Sequence, residues 1–124
     1  MTDYELIGGD VVLERVVRQF VRRFVDDMII GYLFVGRDYE RIVKHEVEHA
    51  AGLLGGPSAY SGRPLTTVHR PLRINKGHFR RRLALVRLIL RKNSVDEGII
   101  ERWIEADERL IDSITTGQDC LPGV

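Results

Sequence analysis

The chain has a single cysteine, Cys120, among its 124 residues, so no intrachain disulfide can form. That usage fits a reducing compartment. No apolar run approaches the roughly 20 residues needed to span a bilayer. The first residues carry no secretory pattern either, so the expectation is a soluble, cytoplasmic chain that does not enter a membrane. Internal repeats and low-complexity blocks are lacking. Acidic residues are missing from one long stretch: between Ala50 and Val95 there is no Asp or Glu. The same stretch holds Arg63, Arg70, Arg73, Lys76, Arg80, Arg81, Arg82, Arg87, Arg91 and Lys92. One reading is a solvated basic face on a helix; the other is a docking surface for an acidic partner. No aromatic interleaving or nucleic-acid motif accompanies these cations, which argues against DNA or RNA.

What is present is the composition of one globular domain. The chain is 44% hydrophobic and 30% charged, with a net charge of +1. It is long enough for one core. Nearly every segment reads as helix. Residues 3–7 allow one short turn before Gly8-Gly9. Asp10 is a candidate N-cap for a helix to about Asp27, in which Val12, Val16, Phe20 and Phe24 recur every four residues. The stretch MIIGYLFVG, broken by Gly31 and Gly36, reads as a short helical turn and a corner. A third helix is expected from about Asp38 to Leu54, followed by the loop GGPSAYSGRP. Pro64 can start a short helix that carries His69 and stops before Pro71. Asn75 can cap a long helix to about Lys92, with Phe79, Leu83, Val86 and Leu90 on one face. Ser94-x-x-Glu97 reads as a capping box for a last helix to about Thr115. These elements predict a single all-α domain over residues 1–116, with 117–124 a fraying tail.

The third helix carries HEVEH, an H-E-x-x-H pattern. In zinc hydrolases two histidines four apart bind the metal and the glutamate acts as base. Here those roles would fall to His45, His49 and Glu46. The long form of that motif supplies a third histidine where this chain has Gly55, and no strand is available for an extended substrate to pair with. An exposed charged helix with two surface histidines is the plainer alternative. At about 100° per residue, Val43, Val47, Ala50 and Leu54 share a wholly apolar face. Arg41, Lys44, Glu48 and Gly52 lie opposite. Ile42, His45, Glu46, His49 and Leu53 fall beside the core face, half apolar and half titratable, like the wall of a pocket. His69 sits among Leu65, Val68 and Leu72. A histidine so placed is either a satisfied core residue or an axial ligand to a large cofactor, since neutral imidazole is the common protein ligand of haem iron. His78, near the start of the next helix, reads as a surface or capping-turn residue.

Four stretches, YELIGGD, FVGRD, GGPSAYSGRPL and VHRPLRINKGHF, together resemble the truncated haemoglobins, most closely their group I. The likeness runs without gaps from about Asp3 to Thr115. It implies a two-over-two helical sandwich around one haem b, with small diatomic ligands such as O2, CO or NO, or with electron transfer and an acidic redox partner. By position His69 is then the proximal iron ligand, Phe34 stacks on the porphyrin, and the third helix forms the distal wall. Ile42, Glu46, Leu53 and Val68 line the pocket. His45 falls where some cyanobacterial members place a sixth iron ligand and most other members a Lys or Arg that meets a propionate. His49 is the alternative sixth ligand, at a site usually aromatic, and Tyr60 falls near a propionate. Two departures stand out. Val21 occupies the site of a tyrosine that holds oxygen, and Ile42 and Glu46 occupy sites where glutamine is frequent. Neither valine nor isoleucine can donate a hydrogen bond, and an ionised glutamate only accepts. A haem-based sensor docking an acidic partner through the basic face is the alternative role. Reaction with NO, nitrite or peroxide is compatible with either role, and the expected assembly is a monomer or weak dimer. No histidine lies in the last helix, where some relatives attach the haem covalently.

Overall fold

The computed structural model describes residues 1–56 and 75–111. Among these residues every regular element is helical: α1 (Asp3–Ile7), α2 (Gly9–Asp26), a 3-10 turn (Gly31–Phe34), α3 (Tyr39–Leu53), α4 (Lys76–Lys92) and α5 (Glu97–Glu108). The loop with Tyr60, the short helix expected to carry Val68 and His69, the tail with Cys120 and the proposed end of the last helix at Thr115 lie outside the described residues. No helix among the described residues is long and apolar enough to cross a membrane.

The predicted helices that fall on the described residues form with their stripes inward. In α2, Val16, Phe20 and Phe24 are buried and are joined by Leu13, Val17 and Val21. In α4, Phe79, Leu83, Val86 and Leu90 are all buried, as the spacing predicts. α3 lies against α2, α5 lies against α4, and the two pairs meet where α4 crosses α2 and α5 reaches α3. Between the pairs Trp103 of α5 and Phe20 of α2 pack edge to face, their centroids 6.1 Å apart. Both are 1% exposed, so this contact lies in the core.

The ends of the helices show where local chemistry decides. Asn75 accepts from the His78 backbone N–H, and the His78 ring accepts in return from the Asn75 N–H. His78 is thus a capping-turn residue, as expected. Asp38 caps α3 through the Arg41 N–H. Two expected caps are displaced. α2 begins at Gly9 after Gly8, whose φ of 117° only glycine takes readily, so Asp10 lies inside the first turn. There its charge still faces the positive end of the helix. Ser94 adopts φ 58°, a left-handed conformation that removes it from the capping position. Asp96 caps α5 instead, accepting from Gly98 and Ile99.

Asp27 closes α2 and ties it to α4. Its Oδ2 accepts from the Ile29 and Ile30 N–H groups at 3.0 and 3.1 Å. Its Oδ1 accepts from Arg81 Nη2 at 2.6 Å, with the side chain only 4% exposed. The Arg81 hydrogen bond, helped by these backbone donors, brings the Asp27 carboxyl down to about 2. A carboxylate whose pKa is depressed on folding stabilises above its unfolded value near 4 and loses that contribution as pH falls. Asp27→Asn is therefore expected to cost about 2 kcal/mol at neutral pH. The deficit should shrink through the window from about pH 4 down to 2. Urea melts across that range check it, and a deficit independent of pH would refute the assignment.

Candidate functional site

α3 presents the faces its sequence predicts, except that Val47 and Glu48 share the intermediate burial of the row between those faces. Val43, Ala50 and Leu54 are buried, with Ala51 beside them, and Val47 packs partly against the core. Arg41, Lys44 and Gly52 are exposed, whereas Glu48 is half-buried rather than open. Between these faces Ile42, His45, Glu46, His49 and Leu53 are each half-buried. A continuous row of intermediate burial differs from both a packed face and a solvated one. It is a wall that the described helices cover only in part.

Two polar members of that wall are tied to a charge cluster formed by three helices. His49 Nε2 lies 3.1 Å from Asp107 Oδ1 on α5. Arg82 on α4 donates from Nη1 to Glu46 Oε2 at 2.7 Å and from Nη2 to Asp107 Oδ2 at 3.4 Å. The guanidinium carbon also stands 5.2 Å from the centroid of the Phe24 ring, a cation–π contact. Phe24 stacks on Phe34, with centroids 6.0 Å apart and planes at 21°. Phe34 is half-buried, at the end of the 3-10 turn. Arg82 thus touches the wall of α3 at Glu46 and is linked to the corner aromatic through Phe24.

Asp107 is fully buried. Burial opposes its ionisation, but the Arg82 charge and the His49 hydrogen bond outweigh burial and hold its carboxyl below the usual range. Burial likewise works against the Arg82 charge, and Glu46 and Asp107 more than restore it. Each ion therefore depends on the others. Removing one partner from such a group leaves a buried charge uncompensated.

Arg82 and Asp107 were not among the candidates that the sequence put forward. Arg82 was one cation in a long basic stretch. The available signal was its spacing: it lies three residues after Phe79 and directly before Leu83, at the margin of the apolar face. Asp107 follows Trp103 by four and Ile104 by three, also on an apolar face. A charge at core spacing requires a partner, although the partner itself cannot be read from one helix. The basic stretch is also more fully ion-paired than expected. Arg81 pairs with Asp27, Arg82 with Glu46 and Asp107, Arg87 with Glu101, and Arg91 with Glu97. These pairs take up four of the cations that a docking surface would have used.

The zinc arrangement finds no support in the geometry. Among the described residues no three His, Cys, Asp or Glu side chains are grouped to hold a metal ion. Glu46, the base in that scheme, is ion-paired to Arg82 instead.

The bacterial-like globin family matches residues 2–115. The chain belongs to that family. Over 78 residues this globin is 33% identical to the group 1 truncated hemoglobin GlbN of Nostoc commune, a match covering 63% of this chain and 66% of that one. Over 77 residues it is 40% identical to the protein of the same name from Mycolicibacterium paratuberculosis, covering 61% and 56%. The matched segment thus spans less than two thirds of either relative's length. In three dimensions the globin superposes on the truncated hemoglobin of Tetrahymena pyriformis in its Fe(III) form with a TM-score of 0.88. That match covers 95% of this chain and 100% of the other at 23% identity, so it is a likeness of fold: the all-helical two-over-two globin. The family implies haem as cofactor and small gases as ligands.

The residues of the wall fit such a group. A porphyrin needs apolar surfaces along its plane and a nitrogen donor toward iron. The globin offers Ile42, Leu53 and Phe34, all half-buried, with the imidazole of His45 on the same face of α3 as Ile42.

Proposed function

We propose that this globin binds haem b against the half-covered wall of α3, with His69 as the proximal iron ligand and His45 as the distal one. Ile42, Leu53 and Phe34 border the porphyrin from the described side. By the resemblance, Val68 would line the pocket as well and Tyr60 would stand near a propionate. When bound, the haem supplies an iron centre that takes up a small diatomic ligand or an electron. The chain's own part is to hold that iron between imidazoles, to keep water from the porphyrin plane and to set which ligands gain access. The observation that carries the reading is the row Ile42, His45, Glu46, His49 and Leu53, which is neither packed nor solvated.

Of the two histidines on that row, the resemblance to truncated haemoglobins favours His45, with His49 the alternative sixth ligand. The Nε2 of His49 is engaged by Asp107, a fully buried partner, and coordination through that atom would break the contact. Two axial imidazoles suit electron transfer, or ligand binding gated by departure of the distal histidine. With four of its cations paired internally, the basic face offers less to an acidic partner, and ligand binding is the reading favoured over docking.

His45→Ala is expected to turn a low-spin, six-coordinate absorption spectrum into a high-spin or water-ligated one, and to speed binding of carbon monoxide. Spectra of wild type, His45→Ala and His49→Ala decide the point. A change in the His49 variant alone would make His49 the ligand. No change in either would leave the iron five-coordinate or water-bound, with His45 beside a propionate.

A further inference from the structure

Val21 and Ile42 have no hydrogen-bond donor, and an ionised Glu46 can only accept. The cluster behind the wall nevertheless brings one strong donor to it. Its inner end is sealed, since the Asp107 side chain is 0% exposed. At its other end the side chains of Arg82 and Glu46 keep 18% and 21% of their surface. At that end Arg82 stands over the ring of Phe24, which in turn stacks on Phe34. A guanidinium has five N–H donors, and among the described residues the contacts to Glu46 and Asp107 use two of them. Two carboxylates and an aromatic face hold the group in one orientation. It is a donor arranged before any ligand arrives, and such a donor gives up little to reorganisation when a ligand binds.

We propose that Arg82 is the residue that hydrogen-bonds a neutral diatomic ligand of this globin, and that it favours dioxygen over carbon monoxide. This rests on the haem reading above. The selectivity follows from charge. Arg82 with Glu46 and Asp107 carries a formal charge of −1 (one cation, two carboxylates) when His49 is neutral, so the cluster does not attract free anions. It does present N–H groups to a neutral ligand whose outer atom gains negative charge on binding, as dioxygen does far more than carbon monoxide. A hydrogen bond from a charged donor contributes about 1.5–3 kcal/mol. Its loss corresponds to a roughly tenfold to hundredfold faster release of dioxygen, with little change for carbon monoxide.

The test uses the full-length, haem-loaded protein. Dissociation rates of dioxygen and carbon monoxide are measured for wild type, Arg82→Met and Arg82→Lys. Arg82→Met is expected to release dioxygen at least about tenfold faster, and Arg82→Lys, which keeps a cation but loses the fixed fork, by an intermediate factor. Carbon monoxide release should stay near wild type in both. Should Arg82→Met fail to fold, because it strands two carboxylates, Arg82→Lys decides by the same criterion. The infrared C–O stretch of the carbon monoxide complex gives a second readout: a nearby donor lowers it in wild type, and the variant should raise it. Unchanged dioxygen release and an unchanged stretch in a folded, haem-containing variant would overturn the role of Arg82. The haem reading fails separately and earlier, if wild type itself shows no Soret band.

Discussion

Replacing His69 with alanine is expected to abolish stable haem binding. The chain has four histidines, His45, His49, His69 and His78. His78 is committed to the start of α4, where its Nδ1 accepts from the Asn75 N–H and its Nε2 lies 3.3 Å from the Tyr32 hydroxyl. Burial also lowers its pKa. His45 and His49 stand one turn apart on a single face of α3, so both approach a haem from the same side. The resemblance puts His69 on the opposite side, and the sequence has no other histidine left for that role. It lies in VHRPL, the stretch that resembles the proximal segment of truncated haemoglobins. Without it the porphyrin keeps only apolar contacts and a distal imidazole, and the native state loses the stabilisation that a tightly bound ligand confers by mass action. Haem content after purification and the Soret absorbance of His69→Ala measure the effect. A variant that kept its haem with an unaltered spectrum would show the proximal assignment to be wrong.

Asp107→Ala is expected to be the most damaging single change to stability in the described part of the site. The carboxylate is completely buried and holds both His49 and Arg82. Its removal leaves Arg82 a largely buried cation with Glu46 alone. Breaking a buried ion group in this way costs about 3–5 kcal/mol, a large share of the roughly 5–15 kcal/mol that holds a domain of this size. Asp107→Asn keeps the shape and one hydrogen bond, and its loss should be smaller. The sign with pH follows from the depressed carboxyl of Asp107. Its contribution is complete above the unfolded carboxylate range near pH 4 and is lost on further acidification. Denaturant melts of the three proteins at neutral pH test this. An alanine variant within about 1 kcal/mol of wild type, the ordinary effect of a point mutation, would mean that the cluster does not hold the helices together.

Most of the scaffold was legible because it rests on local signals. The stripe Phe79, Leu83, Val86 and Leu90 is a periodicity, and it names the buried face of α4 without any knowledge of what covers it. Asn75 caps α4 as its chemistry predicts, and Asp38, where the third helix was expected to begin, caps α3. Apart from Val47 and Glu48, the faces of α3 follow from helical geometry alone, including the intermediate row that carries His45. Where the backbone departs from the ordinary conformation, local reasoning failed. Ser94 has a capping side chain, but its positive φ makes Asp96 the cap. The cluster around Arg82 was illegible for a different reason. Its partners lie 36 residues back at Glu46 and 25 residues ahead at Asp107. One helix shows that Arg82 is a misplaced charge; only the packing of three helices shows what neutralises it. For the same reason a run of cations read as a basic surface is, in four of its arginines, a set of bridges between helices.

The central claim is that this globin holds a haem between His69 and the wall of α3. An ultraviolet–visible absorption spectrum of the purified protein, oxidised and then reduced, tests it most directly. A Soret band in both states is expected, with the visible bands of low-spin, six-coordinate iron that persist until carbon monoxide displaces the distal imidazole. A protein that folds as α2–α5 predict, yet shows no Soret band even after addition of hemin, would contradict the claim.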